Sequence, residues 1–79
     1  MKDFSYEVTE RIAVISRSAD GKNTLELNRI SYNDRQAKFD LRRWSREPGE
    51  EPRMHKGITL TDEEAAELGN VIVALNHIV

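Results

Sequence analysis

The run Met54-His55-Lys56-Gly57-Ile58-Thr59-Leu60 passes without a break into Thr61-Asp62-Glu63-Glu64, and this junction limits the possible folds more than any other stretch. Its first half alternates like a short strand, with Ile58 and Leu60 on one face. Its second half is a helix start. Thr61 is the expected N-cap, its hydroxyl accepting from a backbone N–H of the first turn. Glu64 is spaced to reach back to the Thr61 N–H as the other half of a capping box. Asp62, Glu63 and Glu64 suit the positive end of the helix dipole. A strand joined to a helix with no loop requires the preceding residues to supply the surface on which that helix lies.

Those preceding residues read as strands. Phe4 to Glu10 alternates apolar and polar residues, and Arg11 to Ser16 continues in β-favouring types, so this region is either one long bent strand or two short ones. Ser18 to Asn23 is a turn cluster centred on Asp20-Gly21. Thr24 to Tyr32 alternates, but its apolar phase slips at Ile30, which predicts a bulge or strong twist near Arg29. After a second turn at Asn33 to Gln36, the next strand sets Phe39 and Leu41 on a core face. Lys38, Asp40, Arg42 and Trp44 take the other, while Arg43 points coreward with its stem along the helix edge. Phe4, Tyr6 and Phe39 are read as core. Arg46 to Arg53 holds both prolines and a glycine among charges and is expected to be a mobile, solvated loop. The helix is expected from Asp62 to about Ile78, roughly 25 Å at 1.5 Å per residue. The fold class is therefore α+β: about four antiparallel strands followed by one C-terminal helix, in a single domain over residues 1–79.

With 79 residues and no cysteine, a monomeric core is marginal and no disulfide or thiolate site can supplement it. His55 and His77 alone make no convincing zinc site. The helix carries Leu68, Val71, Ile72, Leu75, Ile78 and Val79, a stripe wider than one small sheet face can cover. Gly69, lacking a side chain, allows close approach of a neighbour. The economical solution is a two-fold homodimer with Leu68, Val71, Ile72, Leu75 and Ile78 at the interface. No apolar run is long enough to span a bilayer, and Met1-Lys2-Asp3-Phe4 lacks the apolar core of a secretory signal. A soluble cytoplasmic protein is expected, with nucleoid association an open alternative.

The net charge of −2 hides a division. From Arg29 to Arg46 there are six arginines and lysines against two aspartates, whereas from Glu47 onward seven acids face only Arg53 and Lys56. The basic middle coincides with the strand that presents Lys38, Arg42 and Trp44 at period two. Cations interleaved with an aromatic are what an unpaired nucleic-acid strand requires, because it exposes phosphates and base faces together. The plainer alternative is that Trp44 closes the edge of the core while the cations solvate an ordinary outer face. Asp40 sits among the cations and is expected to hold the Arg42 guanidinium. No spacing places a nucleophile beside a base and no glycine-rich phosphate loop occurs, so neither an enzyme nor a cofactor is expected.

The order of these features, Phe39-Asp40-Leu41-Arg42, a Pro/Gly/acid loop, then His55-Lys56-Gly57-Ile58-Thr59-Leu60-Thr61 with acids opening a terminal helix, resembles the Positive Cofactor Four family of transcriptional coactivators. Its short bacterial members are the most similar. The resemblance implies a homodimer of curved four-stranded sheets backed by helices, binding single-stranded DNA, and RNA as a further candidate, with little sequence preference. By position it points to Lys56 and Arg42 as cations of the site, to Trp44 and Tyr32 as aromatics, and to His55, where a more basic residue is common. Arg29 and Lys38 complete the implied cationic set. No membrane and no small-molecule substrate are implied. The alternative function is a small dimeric protein-interaction module that binds no nucleic acid.

Overall fold

The computed structural model describes residues 4–78, with side chains described as far as Asn76. Four strands, β1 (Tyr6–Arg17), β2 (Asn23–Tyr32), β3 (Lys38–Ser45) and β4 (Arg53–Leu60), precede one helix, α1 (Asp62–Ile78). They form a single antiparallel sheet in the order β1-β2-β3-β4.

The strand-to-helix junction forms as the sequence dictates. Thr61 N–H donates to Glu64 Oε1 at 2.9 Å, Glu64 N–H donates to Thr61 Oγ1 at 3.0 Å, and Ala65 N–H donates to the Thr61 carbonyl at 2.9 Å. The capping box thus satisfies helix-start donors within one residue of the strand end. The first hairpin closes at Gly21, whose φ of +76° is the left-handed region that glycine enters without strain. Asp20 accepts there from the Ser18 hydroxyl at 2.6 Å and from Lys22 N–H at 3.0 Å. These two bonds hold its carboxyl below the ordinary value. The second hairpin turns on Asn33 and Asp34, both at positive φ (50° and 63°), with Arg35 N–H donating to the Tyr32 carbonyl at 2.9 Å. Two consecutive left-handed residues make a type I′ turn, which matches the twist of the flanking strands.

β1 is one long strand of 12 residues, interrupted by three register shifts against β2. The first shift leaves Thr9 unpaired opposite the Ile30/Arg29 step. The irregularity expected in β2 near Arg29 therefore lies in its partner, and β2 itself alternates without a slip. The apolar phase only seemed to shift because Thr24, Glu26 and Asn28, all polar, share a face with Ile30 and are all buried.

That face is enclosed by the curl of the sheet. Tyr6 pairs with Tyr32 at one end of β2, while Trp44 pairs with Thr24 at the other, eight positions away. A flat strand would separate these ends by about 26 Å. The rings of Tyr6 and Trp44 nevertheless lie 6.1 Å apart, so the sheet bends along its strands until opposite ends meet over the concave side. Bulges raise local twist and bend, and the three in β1 carry that strand across.

The convex side is the more apolar and the more open. Leu27, Phe39, Leu41 and Leu60 face Leu68 and Ile72 of α1 across a groove of about 420 Å³. Leu68, Val71, Ile72, Val73 and Leu75 are each 40% or more exposed. Only Ile30 and Trp44 are buried hydrophobic residues among those described, and both belong to the concave side. Gly69 lines the groove, and nothing lies within 4 Å of where a Cβ on it would sit. Ile78, Val79 and His77, placed on the helix from the sequence, fall outside the described side chains.

The loop between β3 and β4 is tethered rather than free. Arg46 N–H donates to the Lys22 carbonyl at 2.7 Å, and Lys22 Nζ lies 3.6 Å from Glu47 Oε2. Arg43 is exposed. It stands opposite a bulge in β4, where the register passes from Arg42↔Gly57 to Trp44↔Met54.

Gly57 is fixed by close approach. A Cβ there would fall 2.6 Å from the Leu41 carbonyl oxygen and 2.7 Å from Arg42 Cα, and nearer still to Arg42 Cβ. Gly57→Ala is therefore expected to cost about 3 kcal/mol, the cost of overpacking against a backbone that cannot yield. Chemical denaturation checks it, and an unchanged midpoint would show that β4 can shift away from β3.

Candidate nucleic-acid interface

Two carboxylates organise the concave face. Asp40 is fully buried and accepts Arg42 Nε–H on Oδ1 at 2.7 Å, Arg42 Nη2–H on Oδ2 at 2.8 Å, and the Tyr32 hydroxyl on Oδ2 at 2.6 Å. The third guanidinium nitrogen, Nη1, donates to the His55 carbonyl at 2.8 Å. Asp40 raises the pKa of Arg42 above its ordinary value against the opposing effect of burial. Burial, and then the bond to Asp40, hold the Tyr32 phenol protonated far above its usual range. The cluster sets one carboxylate against one guanidinium, with a phenol on the carboxylate's second oxygen.

Glu26 forms the second centre and is 1% exposed. Arg46 donates Nε–H to Oε2 at 2.8 Å and Nη2–H to Oε1 at 2.9 Å, the Thr24 hydroxyl donates at 2.5 Å, and Asn28 Nδ2–H at 3.4 Å. Burial pushes the carboxyl up, but Arg46, then Thr24 and Asn28, pull it down further, and the net value lies below the ordinary one. A carboxylate with a depressed native pKa stabilises the fold above its unfolded pKa, and that contribution is lost as pH falls through the native value. Glu26→Gln is accordingly expected to lower stability at neutral pH and to flatten its decline on acidification below about pH 4.5. Thermal unfolding as a function of pH checks this; a variant with the slope of the wild type would exclude Glu26 from the acid transition.

Aromatic rings line the rim. Phe4, Tyr6 and Tyr32 lie 5.9 to 6.4 Å apart, tilted against one another, and Tyr6 reaches Trp44 on its other side. Asn33 assembles the group: its Oδ1 accepts from Ser5 N–H at 2.9 Å and its own N–H donates to the Ser5 carbonyl at 2.9 Å. The turn residue thereby brings the start of β1 over Tyr32. Phe4 is 66% exposed and Tyr6 38%, so neither is the core residue expected from the sequence. Phe4 precedes β1 and Tyr6 is its first residue, so alternation along the strand does not govern either. Beside Tyr32 a shallow pocket of about 170 Å³ is lined by Ile30, Tyr32, Arg35, Gln36, Lys38 and Thr59. Lys38 and Arg35 are exposed there, and no carboxylate pairs with either among the described residues.

Of the residues singled out from the sequence, Tyr32, Lys38 and Arg42 come together on this face. Lys56 is exposed next to Gly57, which stands opposite Arg42, and His55 gives its carbonyl to Arg42 while its ring contacts the Ser45 hydroxyl. Arg29 does not join them. It lies on the convex side, its guanidinium 4.1 Å above the Phe39 ring and donating to Asp62 at 3.1 Å, with Glu10 at 3.8 Å. Here it clamps the helix start to the sheet, away from the other residues read as site cations. Trp44, expected on an exposed face, is 2% exposed beneath Tyr6, with the Arg46 guanidinium 5.6 Å from its ring. It closes the core, as the plainer reading held, and its Nε1–H is the buried side-chain polar atom without a partner among the described residues. Arg35, a turn residue in the sequence reading, is exposed beside Lys38 in the pocket at Tyr32.

The comparison with known families fits this architecture. The model of the family described as Transcriptional Coactivator p15 (PC4) matches residues 19–71, from the first hairpin turn into the helix. The chain belongs to the PC4 family. An uncharacterized protein of Treponema pallidum (strain Nichols) is 39% identical over 74 residues, covering 94% of this chain and 82% of that protein. The PC4 match spans β2, β3, β4 and the first half of α1, and so includes both buried carboxylate clusters and Gly57. Among the described residues no helix is long and apolar enough to cross a membrane, and no group of three or more His, Cys, Asp or Glu residues is placed to hold a metal ion.

Proposed function

We propose that this PC4-family chain is a homodimer that binds single-stranded DNA with little sequence preference and acts in transcription or in handling exposed strands. The observation that carries the reading is the rim of Phe4, Tyr6 and Tyr32 beside the exposed cations Lys38 and Arg35. Base stacking on an aromatic ring is worth about 1 to 3 kcal/mol per base and tolerates any base, whereas a duplex hides its base faces. Lys38 and Arg35 supply phosphate attraction at one end of the rim, and Lys56 on β4 extends it. RNA shares this chemistry and competes for the same surface. Since Glu26, Asn28, Asp40 and Trp44 already fill the concavity, the strand lies along the rim and not in the hollow.

Dimerisation is supported by the convex side. A chain whose helix leaves Leu68, Val71, Ile72 and Leu75 largely exposed over an apolar groove has an unfilled core, and a second copy of the same helix matches it in chemistry and length. Fluorescence anisotropy of labelled oligothymidine, the matching duplex and RNA at several salt concentrations tests the binding. The expected result is single-strand preference with a steep salt slope; no single-strand binding at low salt would sink the proposal and leave a protein-interaction module in its place.

A further inference from the structure

Arg42 sits on the proposed binding face, yet it is poorly equipped to hold a phosphate. Each of its three guanidinium nitrogens already donates: Nε and Nη2 to the two oxygens of Asp40, and Nη1 to the His55 carbonyl. Its side chain is only 15% exposed and that of Asp40 is inaccessible. Only one N–H on each of Nη1 and Nη2 is left for a phosphate, and a bidentate grip through Nε and Nη2 would have to displace the Asp40 carboxylate, leaving a buried charge stripped of its partner. Nor is there an unopposed charge to attract a phosphate, since a carboxylate faces the guanidinium.

The same pair holds something else. Asp40 Oδ2 accepts the Tyr32 hydroxyl at 2.6 Å, and the Arg42 guanidinium carbon lies 5.9 Å from the Tyr32 ring centre. Tyr32 is the ring on which Phe4 and Tyr6 both converge. From this geometry we infer that Asp40 and Arg42 are positioning residues: Arg42 fixes the Asp40 carboxylate, Asp40 fixes the hydroxyl of Tyr32, and Tyr32 is thereby held as a rigid stacking platform, while phosphate attraction falls to the exposed Lys38 and Arg35. The inference rests on the proposed single-strand binding and assigns its electrostatic and stacking parts to different residues.

The two roles separate in the salt dependence. A cation that neutralises a phosphate contributes about 0.7 to the slope of log affinity against log salt for a single strand, and a neutral positioning pair contributes nothing. Anisotropy titrations of the full chain with labelled oligothymidine, from about 50 to 200 mM salt, compare the wild type with Lys38→Ala, Arg42→Gln, Arg42→Lys and Tyr32→Phe. Lys38→Ala is expected to lower the slope by about 0.7. Arg42→Gln is expected to weaken binding about tenfold with the slope unchanged, about 1.4 kcal/mol of lost stacking. Arg42→Lys keeps the charge but cannot bridge both carboxylate oxygens, so it is expected to behave like Arg42→Gln. Tyr32→Phe keeps the ring and deletes only the hydroxyl held by Asp40, and is expected to lose about fivefold at constant slope while its tyrosine circular dichroism changes.

An Arg42→Gln slope reduced as much as that of Lys38→Ala, with Arg42→Lys restoring it, would overturn the inference while leaving single-strand binding intact. Should Arg42→Gln fail to fold, Tyr32→Phe decides, and wild-type affinity in that variant would likewise overturn it. A wild-type chain that binds no single strand at low salt would overturn the proposed function and this inference together.

Discussion

Trp44→Ala is expected to cost about 3 to 5 kcal/mol of stability, as large-to-small truncations of buried aromatics do. Trp44 is 2% exposed, packs against Tyr6 and lies under the Arg46 guanidinium, so its loss opens a cavity beneath the rim. In a chain of 79 residues with few buried apolar side chains, that is a large share of the total. The ring is not wholly favourable, because its Nε1–H is buried without a partner among the described residues, at a cost of about 1 to 3 kcal/mol. Trp44→Phe removes that N–H and keeps most of the volume, and is expected to cost far less than the alanine. Denaturant unfolding of both variants checks the pair. Wild-type stability in Trp44→Ala, together with weakened strand binding, would return Trp44 to the exposed face where the sequence placed it.

The second large effect concerns assembly. Leu75→Asp is expected to convert the proposed homodimer to a monomer, halving the sedimentation mass, and to lower the unfolding midpoint because the apolar groove is then left open to water. Leu75 is 58% exposed in the single chain, so a charge there costs little within the protomer. The penalty arises only if a second copy buries it, because an unpaired carboxylate in an apolar contact loses its solvation without compensation. An unchanged mass would place the contact elsewhere.

How much of the site was legible can be judged from its residues. Lys38, Asp40 and Arg42 were correctly grouped on one face, since alternation along one strand needs no tertiary information. The pairing of Asp40 with Arg42 was also foreseeable, because residues two apart in a strand share a side. Arg29 was grouped with the site cations by charge: it belongs to the basic middle of the chain, but its position in β2 puts it with Leu25 and Leu27 on the convex side. The gathering of Phe4 and Tyr6 around Tyr32 was not legible because the clasp between Ser5 and Asn33 joins residues 28 positions apart.

The sequence by itself determined the order of the elements, both hairpin turns, and the capped junction at Thr61, all of which depend on interactions within a few residues. It also determined that the helix is too apolar for one small sheet. The tertiary structure alone decided which side of the sheet is closed. Periodicity sorts residues into two faces but says nothing of the curvature of the surface they form. Three bulges in β1 curl the sheet so that polar Thr24, Glu26, Asn28 and Asp40 are enclosed with Trp44, while the apolar face stays open beside the helix. Those buried polar groups are tolerable because each carboxylate finds a bidentate arginine: Asp40 finds Arg42 within its own strand, but Glu26 meets Arg46 only once β2 lies beside the end of β3.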